Sequence, residues 1–163
     1  MPSKPSGGPL KVLRRVRRRS KRVAVLVDGP NMLRRDLGID LEAITEALSG
    51  LGRVKIRIVV LDRKAPDKLV EAVTNSGYRA VVSTGKVEVE FTMIATELMY
   101  SNKVDVLALA TRNAAYAPIV YRAKELGKDV VVIGAEPGFS TALRKAADLV
   151  ITLSPVDRNY RGD

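Results

Sequence analysis

The sequence predicts a three-layer α/β/α domain with a mostly parallel sheet of five to six strands. Short apolar runs alternate along the chain with stretches of helical periodicity, which is typical of parallel strands joined by right-handed crossovers. Hydrophobic residues make up 46% of the chain but aromatic ones only 4%. A core of Val, Ile, Leu and Ala is usual for strands that helices cover on both faces. The 163 residues suffice for one such domain but not for two.

The first half of the chain contains three predicted strands. An apolar run at residues 22–28 ends in Asp28, and the chain turns at once in "GPN". Asp40 is placed as the N-cap of a helix whose apolar residues recur at helical spacing until Gly50. Residues 54–62 form the second predicted strand. A helix in "APDKLVEAVTNSG" then leads to a third strand in "YRAVVSTG".

The second half continues the alternation. The segment "VEVEF" follows the third strand and precedes a helical pattern in "TMIATELMYS". Residues 104–111 form a fourth strand, whose continuous apolar run indicates burial on both faces. A helix in "YAPIVYRAKELG", a strand in "KDVVVIGA", a short helix capped by Ser140 and a candidate sixth strand in "LVITL" complete the pattern. We therefore divide the chain into an arm (1–21), a domain (22–153) and a tail (154–163).

Positive charge is concentrated in the amino-terminal arm. Residues 1–22 hold nine basic residues and no acid, against a net charge of +10 for the whole chain. The Pro, Gly and Ser residues of "MPSKPSGGPL" do not favour a packed element. Such an arm predicts binding to RNA or DNA phosphates, and we prefer RNA. The residues that we expect to bind RNA are, in the arm, Lys11, Arg14, Arg15, Arg17, Arg18, Arg19 and Lys21, and, at the start of the domain, Arg22.

Two other roles fit an arm of this kind, namely solubility and contact with an anionic membrane. The membrane role fits less well, because Val12, Leu13 and Val16 form only a thin apolar stripe. The chain has no apolar run of the roughly 20 residues that span a bilayer, so we expect a cytoplasmic protein without a membrane partner. The sequence predicts no oligomeric state. With five Tyr and two Phe, recognition of shape and phosphate is favoured over base stacking.

Composition excludes several kinds of catalysis. The chain has no Cys and no His, so disulfides, thiolate nucleophiles, histidine bases and the usual zinc sites are absent. A metal site would have to use oxygen ligands for Mg or Mn. We expect no cofactor, with Mg or Mn as the alternative.

Polar residues at the carboxyl ends of the predicted strands are the candidates for a site, because ligands bind there in open α/β sheets. Asp28 and Glu88 are the carboxylates that could hold a metal, although Asp28 also fits a turn cap and Glu88 a solvated charge. A glycine-rich turn before a predicted helix makes Gly138, Ser140 and Thr141 candidates for phosphate binding. Other polar residues at these ends are Asn31, Asp62, Ser83, Thr84, Thr111, Arg112 and Asn113.

Three segments carry a family resemblance. "VAVLVDGPN", "GKVEVEF" and the stretch ending in "IGAEPGFSTALRKAADLVITL" resemble NYN domains, ribonuclease-like relatives of PIN domains, and most closely an archaeal branch of unknown role. The resemblance covers residues 22–153 and implies the Rossmann-like PIN/NYN fold. It implies acids at Asp28 and Glu88, an Asn at Asn31, and three further acids. This sequence has Ile94, Asn113 and Ala115 at those three positions.

The resemblance therefore implies a vestigial site made of Asp28, Asn31, Glu88 and Asn113, with no residue assigned confidently to catalysis. We expect an RNA-binding pseudo-nuclease, a component of the ribosome or another ribonucleoprotein, with ribosomal RNA and ribosomal proteins as partners. Lys86 and Arg112 are expected to contact phosphates beside the former active site. The alternatives are an active Mg- or Mn-dependent ribonuclease using Asp28 and Glu88, and a protein-binding or nucleotide-sensing module in which the arm is incidental.

Overall fold

The structure, a computed structural model, describes residues 20–155. Within this range the chain alternates strands and helices almost without interruption. Two short 3₁₀ helices, Arg35–Leu37 and Ala114–Tyr116, lie in connections. The elements are β1 (Arg22–Asp28), α1 (Gly29–Met32), α2 (Leu41–Leu48), β2 (Arg53–Leu61), α3 (Asp67–Asn75), β3 (Arg79–Val82), α4 (Val87–Met99), β4 (Val106–Ala110), α5 (Ala117–Glu125), β5 (Asp129–Ala135), α6 (Thr141–Ala146) and β6 (Leu149–Leu153).

The six strands form one parallel sheet in the order β3-β2-β1-β4-β5-β6. The chain moves outward from β1 to β3, returns through α4 to β4, and then moves outward in the opposite direction. Right-handed crossovers therefore place α2 and α3 on one face and α4, α5 and α6 on the other. The predicted three-layer α/β/α fold is confirmed, and "LVITL" does form the sixth strand.

Two apolar clusters hold the layers together, one on each face of the sheet. Alternate side chains of β1 take part in different clusters, Ala24 and Leu26 in one and Val25 and Val27 in the other. All four are completely buried. This explains why β1 is continuously apolar, since a strand covered on both faces has no outward position for a polar residue.

Helix boundaries follow the capping residues predicted from the sequence. The Asp40 carboxylate accepts a hydrogen bond from the Ala43 amide at 2.8 Å and so caps α2. Ser140 accepts one from the Leu143 amide at 3.3 Å and caps α6. Both side chains satisfy amide groups that the first turn of a helix leaves without a partner. Within residues 20–155 no helix has the length and apolar character that crossing a bilayer requires.

One predicted boundary is wrong. The sequence predicts that the segment "VEVEF" precedes the helix, but in the structure this segment forms the first turns of α4. Its alternating apolar and charged residues are compatible with a strand on local grounds. The helix forms because Val87, Phe91, Ile94 and Leu98 then share one face that packs against the sheet. Glu88 consequently lies in the first turn of a helix and not on a strand edge.

The strand β3 is short and leaves part of its neighbour uncovered. It pairs with Ile58–Leu61 only, so the first half of β2 has a paired strand on one side within the described part of the chain. A register shift in this half places Lys55 opposite the Val23–Ala24 step of β1 as an extra residue. The sheet therefore has a local open edge at the amino end of β2.

Candidate functional site

The strand order creates a crevice at the carboxyl ends of β1 and β4. These strands are neighbours, but the chain leaves them towards opposite sides of the sheet. Connections that diverge in this way leave space between them, and ligands of open α/β sheets bind there. Asp28 ends β1, and Thr111 follows β4 directly.

Asp28 is a completely buried carboxylate. Its Oδ2 accepts hydrogen bonds from Asn31 Nδ2 and from Thr111 Oγ1, both at 2.7 Å. Its Oδ1 is buried without a hydrogen-bond partner among residues 20–155. The structure thus places Asp28 beside Asn31, as the sequence predicted, and adds Thr111 as a second donor.

The environment of Asp28 disfavours its charge. Burial raises the pKa of the carboxyl above its ordinary value, while the hydrogen bonds from Thr111 and Asn31 oppose this effect. The negative charge of Glu88 raises the pKa further, and the positive charge of Arg112 lowers it. Desolvation is the largest of these influences, so the environment favours the neutral form of the Asp28 carboxyl more than water does.

The turn after Asp28 depends on a close backbone approach. A Cβ at Gly29 would lie 2.5 Å from the Val60 carbonyl oxygen, closer than real Cβ atoms come. Gly29 therefore lets the chain turn into α1 against β2, with Pro30 in the first turn. This turn brings Asn31, three residues on, back to the Asp28 carboxylate.

A cleft of about 480 Å³ opens beside Asp28. It combines acidic and basic side chains, and Glu88 reaches it from the first turn of α4. Its wall is formed by the ends of β1 and β2, the connection from β3 to α4, and one aromatic ring. The lining residues are Asp28, Pro30, Asn31, Asp62, Arg63, Gly85, Lys86, Val87, Glu88 and Tyr116.

Tyr116 belongs to the cleft but was not predicted as a site residue. Its ring stacks on Phe91 with centroids 4.1 Å apart, and the side chain is almost completely buried. Burial, together with the charges of Asp28 and Glu88, raises the pKa of its phenol. Tyr116 lies in "TRNAAY", directly after the fourth strand. This position indicates a residue of the cleft, because the carboxyl end of β4 borders the crevice.

Arg112 occupies a different environment from the expected one. Only 9% of its surface is exposed. Its Nε donates to the Asn31 carbonyl at 2.8 Å, and its Nη1 donates to the Pro137 carbonyl. Its own carbonyl accepts from the Ser140 amide at 3.2 Å. Arg112 therefore ties the loops after β1, β4 and β5 together, and its contact with phosphates stays a prediction.

The positions where the resemblance implies further acids do not supply metal ligands. Ile94 packs in the core between α4 and the sheet. Ala115 is exposed and has no ligating atom. Asn113 has an amide oxygen, but this accepts a hydrogen bond from the Ala115 amide at 3.0 Å and caps the 3₁₀ helix.

The residues present do not fit the cage of carboxylates that a divalent metal needs. Asp28 offers one free oxygen and Glu88 lies in the same cleft. Among residues 20–155, however, no three acidic side chains converge closely enough to hold an ion.

The other predicted contact residues fall in different places. Lys86 is exposed at the Asp28 cleft. Gly138, Ser140 and Thr141 lie outside the lining of this cleft, and the Ser140 hydroxyl is used for helix capping. Phosphate binding by these three residues stays a prediction. Lys11, Arg14, Arg15, Arg17, Arg18 and Arg19 lie outside the described residues.

The last two residues of the predicted basic set lie at the opposite end of the sheet from Asp28. Lys21 pairs with Asp129. Arg22 forms hydrogen bonds with Asp105 from its amide, Nε and Nη2. These bonds lower the pKa of Asp105 to about 2. Arg22 thus helps to anchor the start of β1.

The raised pKa of Asp28 predicts a pH-dependent effect of Asp28→Asn. The folded chain holds the proton to a higher pH than the unfolded chain, so stability falls as pH rises from the ordinary carboxyl pKa to the raised one. Asn carries no charge and removes this loss. We expect the stability of Asp28→Asn relative to the wild type to increase as pH rises from the ordinary carboxyl pKa through the raised one.

Urea unfolding of both proteins across this pH range measures the effect. Asp62→Asn is the matched control, because Asp62 is an exposed carboxylate at the end of the adjacent strand, and its relative stability should change little. A flat or falling difference for Asp28→Asn would contradict the prediction.

Comparison with known proteins agrees with this fold. A family model of the NYN domain matches residues 22–154. An uncharacterized protein of Methanocaldococcus jannaschii is 50% identical over 139 residues, which cover 85% of this chain and 58% of that protein. The chain thus spans less than two thirds of this relative. A crystal structure of a protein of unknown function from Vibrio parahaemolyticus has a TM-score of 0.72 at 17% identity, covering 87% of this chain and 96% of that one. At this identity the likeness concerns the fold alone.

Proposed function

The chain belongs to the NYN domain family, and we propose that it is an RNA-binding member that does not cleave RNA and that its basic arm holds it in a ribonucleoprotein. The family has a nuclease-like, RNA-related fold. Loss of catalysis with retention of binding accounts for both unusual features of this chain. These are a cleft in which no three acidic side chains of residues 20–155 converge to hold a metal ion, and nine basic residues in the first 22.

The observation that carries the proposal is that the acidic side chains around Asp28 do not converge, since no three among residues 20–155 lie close enough to hold a metal ion. Asp28 is the one acidic residue among the buried polar side chains of the described chain. Hydrolysis of a phosphodiester with two metal ions requires several carboxylates that hold the ions and orient water. Ile94, Asn113 and Ala115 provide none, and the amide oxygen of Asn113 is already engaged. The cleft therefore keeps polar and charged side chains that can contact a ligand, but it lacks the converging carboxylates that would hold metal ions.

The proposal that the protein is part of a ribonucleoprotein rests on the combination of a folded domain with a basic amino-terminal arm. A folded domain of modest size with a long basic extension is suited to lie on the surface of a large RNA while the extension neutralises phosphates. We propose ribosomal RNA and ribosomal proteins as the partners. The few aromatic side chains favour binding to the backbone and shape of such an RNA.

Sedimentation tests this proposal. We expect the native protein in extracts of its own cells to co-migrate with a ribosomal subunit or another RNA particle through gradients of rising salt. Sequencing the RNA in those fractions identifies the partner. Migration as a free small protein at low salt would contradict the proposal.

A cleavage assay tests the absence of catalysis. An active enzyme remains the competing function because Asp28, Asp62 and Glu88 line one cleft. We expect the full chain, with Mg or Mn, to leave structured and single-stranded RNAs intact to the same degree as Asp28→Ala. Cleavage that requires the metal and disappears in Asp28→Ala would establish a ribonuclease instead.

A further inference from the structure

A second cleft, of about 470 Å³, lies beside the amino half of β2. We call it the β2-edge cleft. It exists because β3 pairs only with Ile58–Leu61 and leaves the preceding residues of β2 open on that side. Its lining residues are Val54, Lys55, Ile56, Arg57, Ile58, Gly77 and Arg79.

The β2-edge cleft is basic. Three of its lining side chains are cationic, Lys55, Arg57 and Arg79, and none is acidic. Lys55 and Arg79 are exposed. Within the described part of the chain these three cations take part in none of the ion pairs. Their charges are thus available to an anion.

Arg57 carries the strongest indication of a ligand. Its Nε is buried and has no hydrogen-bond partner among residues 20–155. The guanidinium lies against Gly77, where a Cβ would be 3.5 Å from Nη1. The Arg57 side chain as a whole is only half-buried, so an anion in the cleft can pair with the guanidinium charge and offset the cost of the unpaired Nε. Basic side chains also protect open strand edges from pairing, but protection needs exposed charges and does not explain a buried Nε.

The arm enters the body next to this cleft. The Arg53 amide, at the start of β2, donates to the Lys21 carbonyl at 2.8 Å. A Cβ at Gly52 would lie 2.1 Å from the same carbonyl oxygen, which shows how closely the two segments approach. The basic segment that precedes Lys21 therefore joins the body at the end of the sheet where Lys55, Arg57 and Arg79 lie.

The Asp28 cleft lies at the other end of the strands. Lys55 is opposite the second and third residues of β1, whereas Asp28 is its seventh and last. With a rise of about 3.3 Å per residue, the two levels are roughly 15 Å apart along the strand. The Asp28 cleft is lined by three carboxylates, those of Asp28, Asp62 and Glu88, against the cations Arg63 and Lys86. Phosphates are thus attracted less to it than to the β2-edge cleft.

We propose that the β2-edge cleft binds the phosphodiester backbone of the RNA that the arm holds, through Lys55, Arg57 and Arg79. This inference rests on the proposed RNA-binding function. It places the RNA against the amino ends of β2 and β3, away from the cleft that corresponds to a nuclease site.

Charge reversal in the full chain tests the site. The variant Lys55→Glu/Arg79→Glu is compared with Arg122→Glu/Lys145→Glu, which changes the same residue types on exposed positions of α5 and α6. Both variants change the net charge equally. We expect the first to weaken binding of a fluorescein-labelled RNA hairpin about tenfold or more, and the control by less than about threefold. The slope of log affinity against log salt should fall by about 1.4 to 1.8 in magnitude, for two lost contacts.

The variant Arg63→Glu/Lys86→Glu tests the Asp28 cleft as the competing binding site in the same assay. A loss of affinity there that equals or exceeds the loss at the β2-edge cleft would overturn the inference. So would equal losses in the β2-edge variant and the control. A wild-type chain that does not bind the hairpin would overturn the RNA-binding function itself, which separates the two failures.

Lysine footprinting of the wild-type chain gives a second measurement that needs no variant. We expect bound RNA to slow acetylation of Lys55 and to leave Lys145 unchanged. Protection of Lys86 with no protection of Lys55 would place the RNA at the Asp28 cleft and contradict the proposal.

Discussion

Deletion of residues 1–19 should lower the affinity for RNA by about a hundredfold or more while the domain remains folded. The deleted segment contains seven basic residues and no acid. If each neutralises one phosphate, the magnitude of the salt slope should fall by about 5 to 6. The deletion spares the pairs of Lys21 with Asp129 and of Arg22 with Asp105, which anchor the start of β1.

Filter binding of the full and shortened chains to the same RNA over a range of salt concentrations measures this effect. Thermal unfolding of both proteins confirms that the domain is intact. A full-length variant in which the seven basic residues become Gln separates the role of charge from that of chain length, and should behave like the deletion. Unchanged affinity after the deletion would instead support a protein-binding or nucleotide-sensing module in which the arm is incidental.

The second large effect concerns Arg112, whose replacement by Ala should destabilise the domain by about 2 to 3 kcal/mol. Hydrogen bonds that involve a charged group contribute about 1.5 to 3 kcal/mol. Arg112 donates to the carbonyls of Asn31 and Pro137 and thereby connects three loops at the carboxyl end of the sheet. Arg112→Lys should recover only part of the loss, because one ammonium does not reproduce the two directions of the guanidinium.

Urea unfolding measures this loss. Arg63→Ala is a suitable control, because Arg63 is an exposed arginine beside the same crevice, and it should stay within about 0.5 kcal/mol of the wild type. Full stability of Arg112→Ala combined with weaker RNA binding would contradict this structural role and would instead support the predicted contact of Arg112 with phosphates.

Some features of the site were accessible from the sequence because they are local. Asp28 ends an apolar run and Asn31 follows within one turn, so their proximity requires no knowledge of the sheet. Asp40 and Ser140 were identified as caps for the same reason. Substitution of the expected acids by Ile94 and Ala115 was also visible directly.

Other features depended on contacts between distant segments. Thr111 donates to Asp28 across 83 positions of sequence, and Arg112 reaches Asn31 across 81. An arginine in a polar turn is ordinarily exposed, and only the approach of the loops after β1 and β5 buries this one. The helical state of "VEVEF" likewise depends on the apolar cluster that Val87 and Phe91 join.

The sequence by itself determined the alternation of strands and helices and the concentration of positive charge in the arm, because both follow from residue type and local periodicity. The neutral residues where the family resemblance implies acids were also readable from the sequence, but only through that resemblance. Only the tertiary structure decided that the junction of the arm with β1 lies beside the amino end of β2, and that a short β3 opens a basic cleft there. The physical reason is that the pairing and the length of neighbouring strands set the positions of the arm junction and of the cleft. The periodicity of a strand encodes which of its faces is buried, but it does not encode which strand lies beside it.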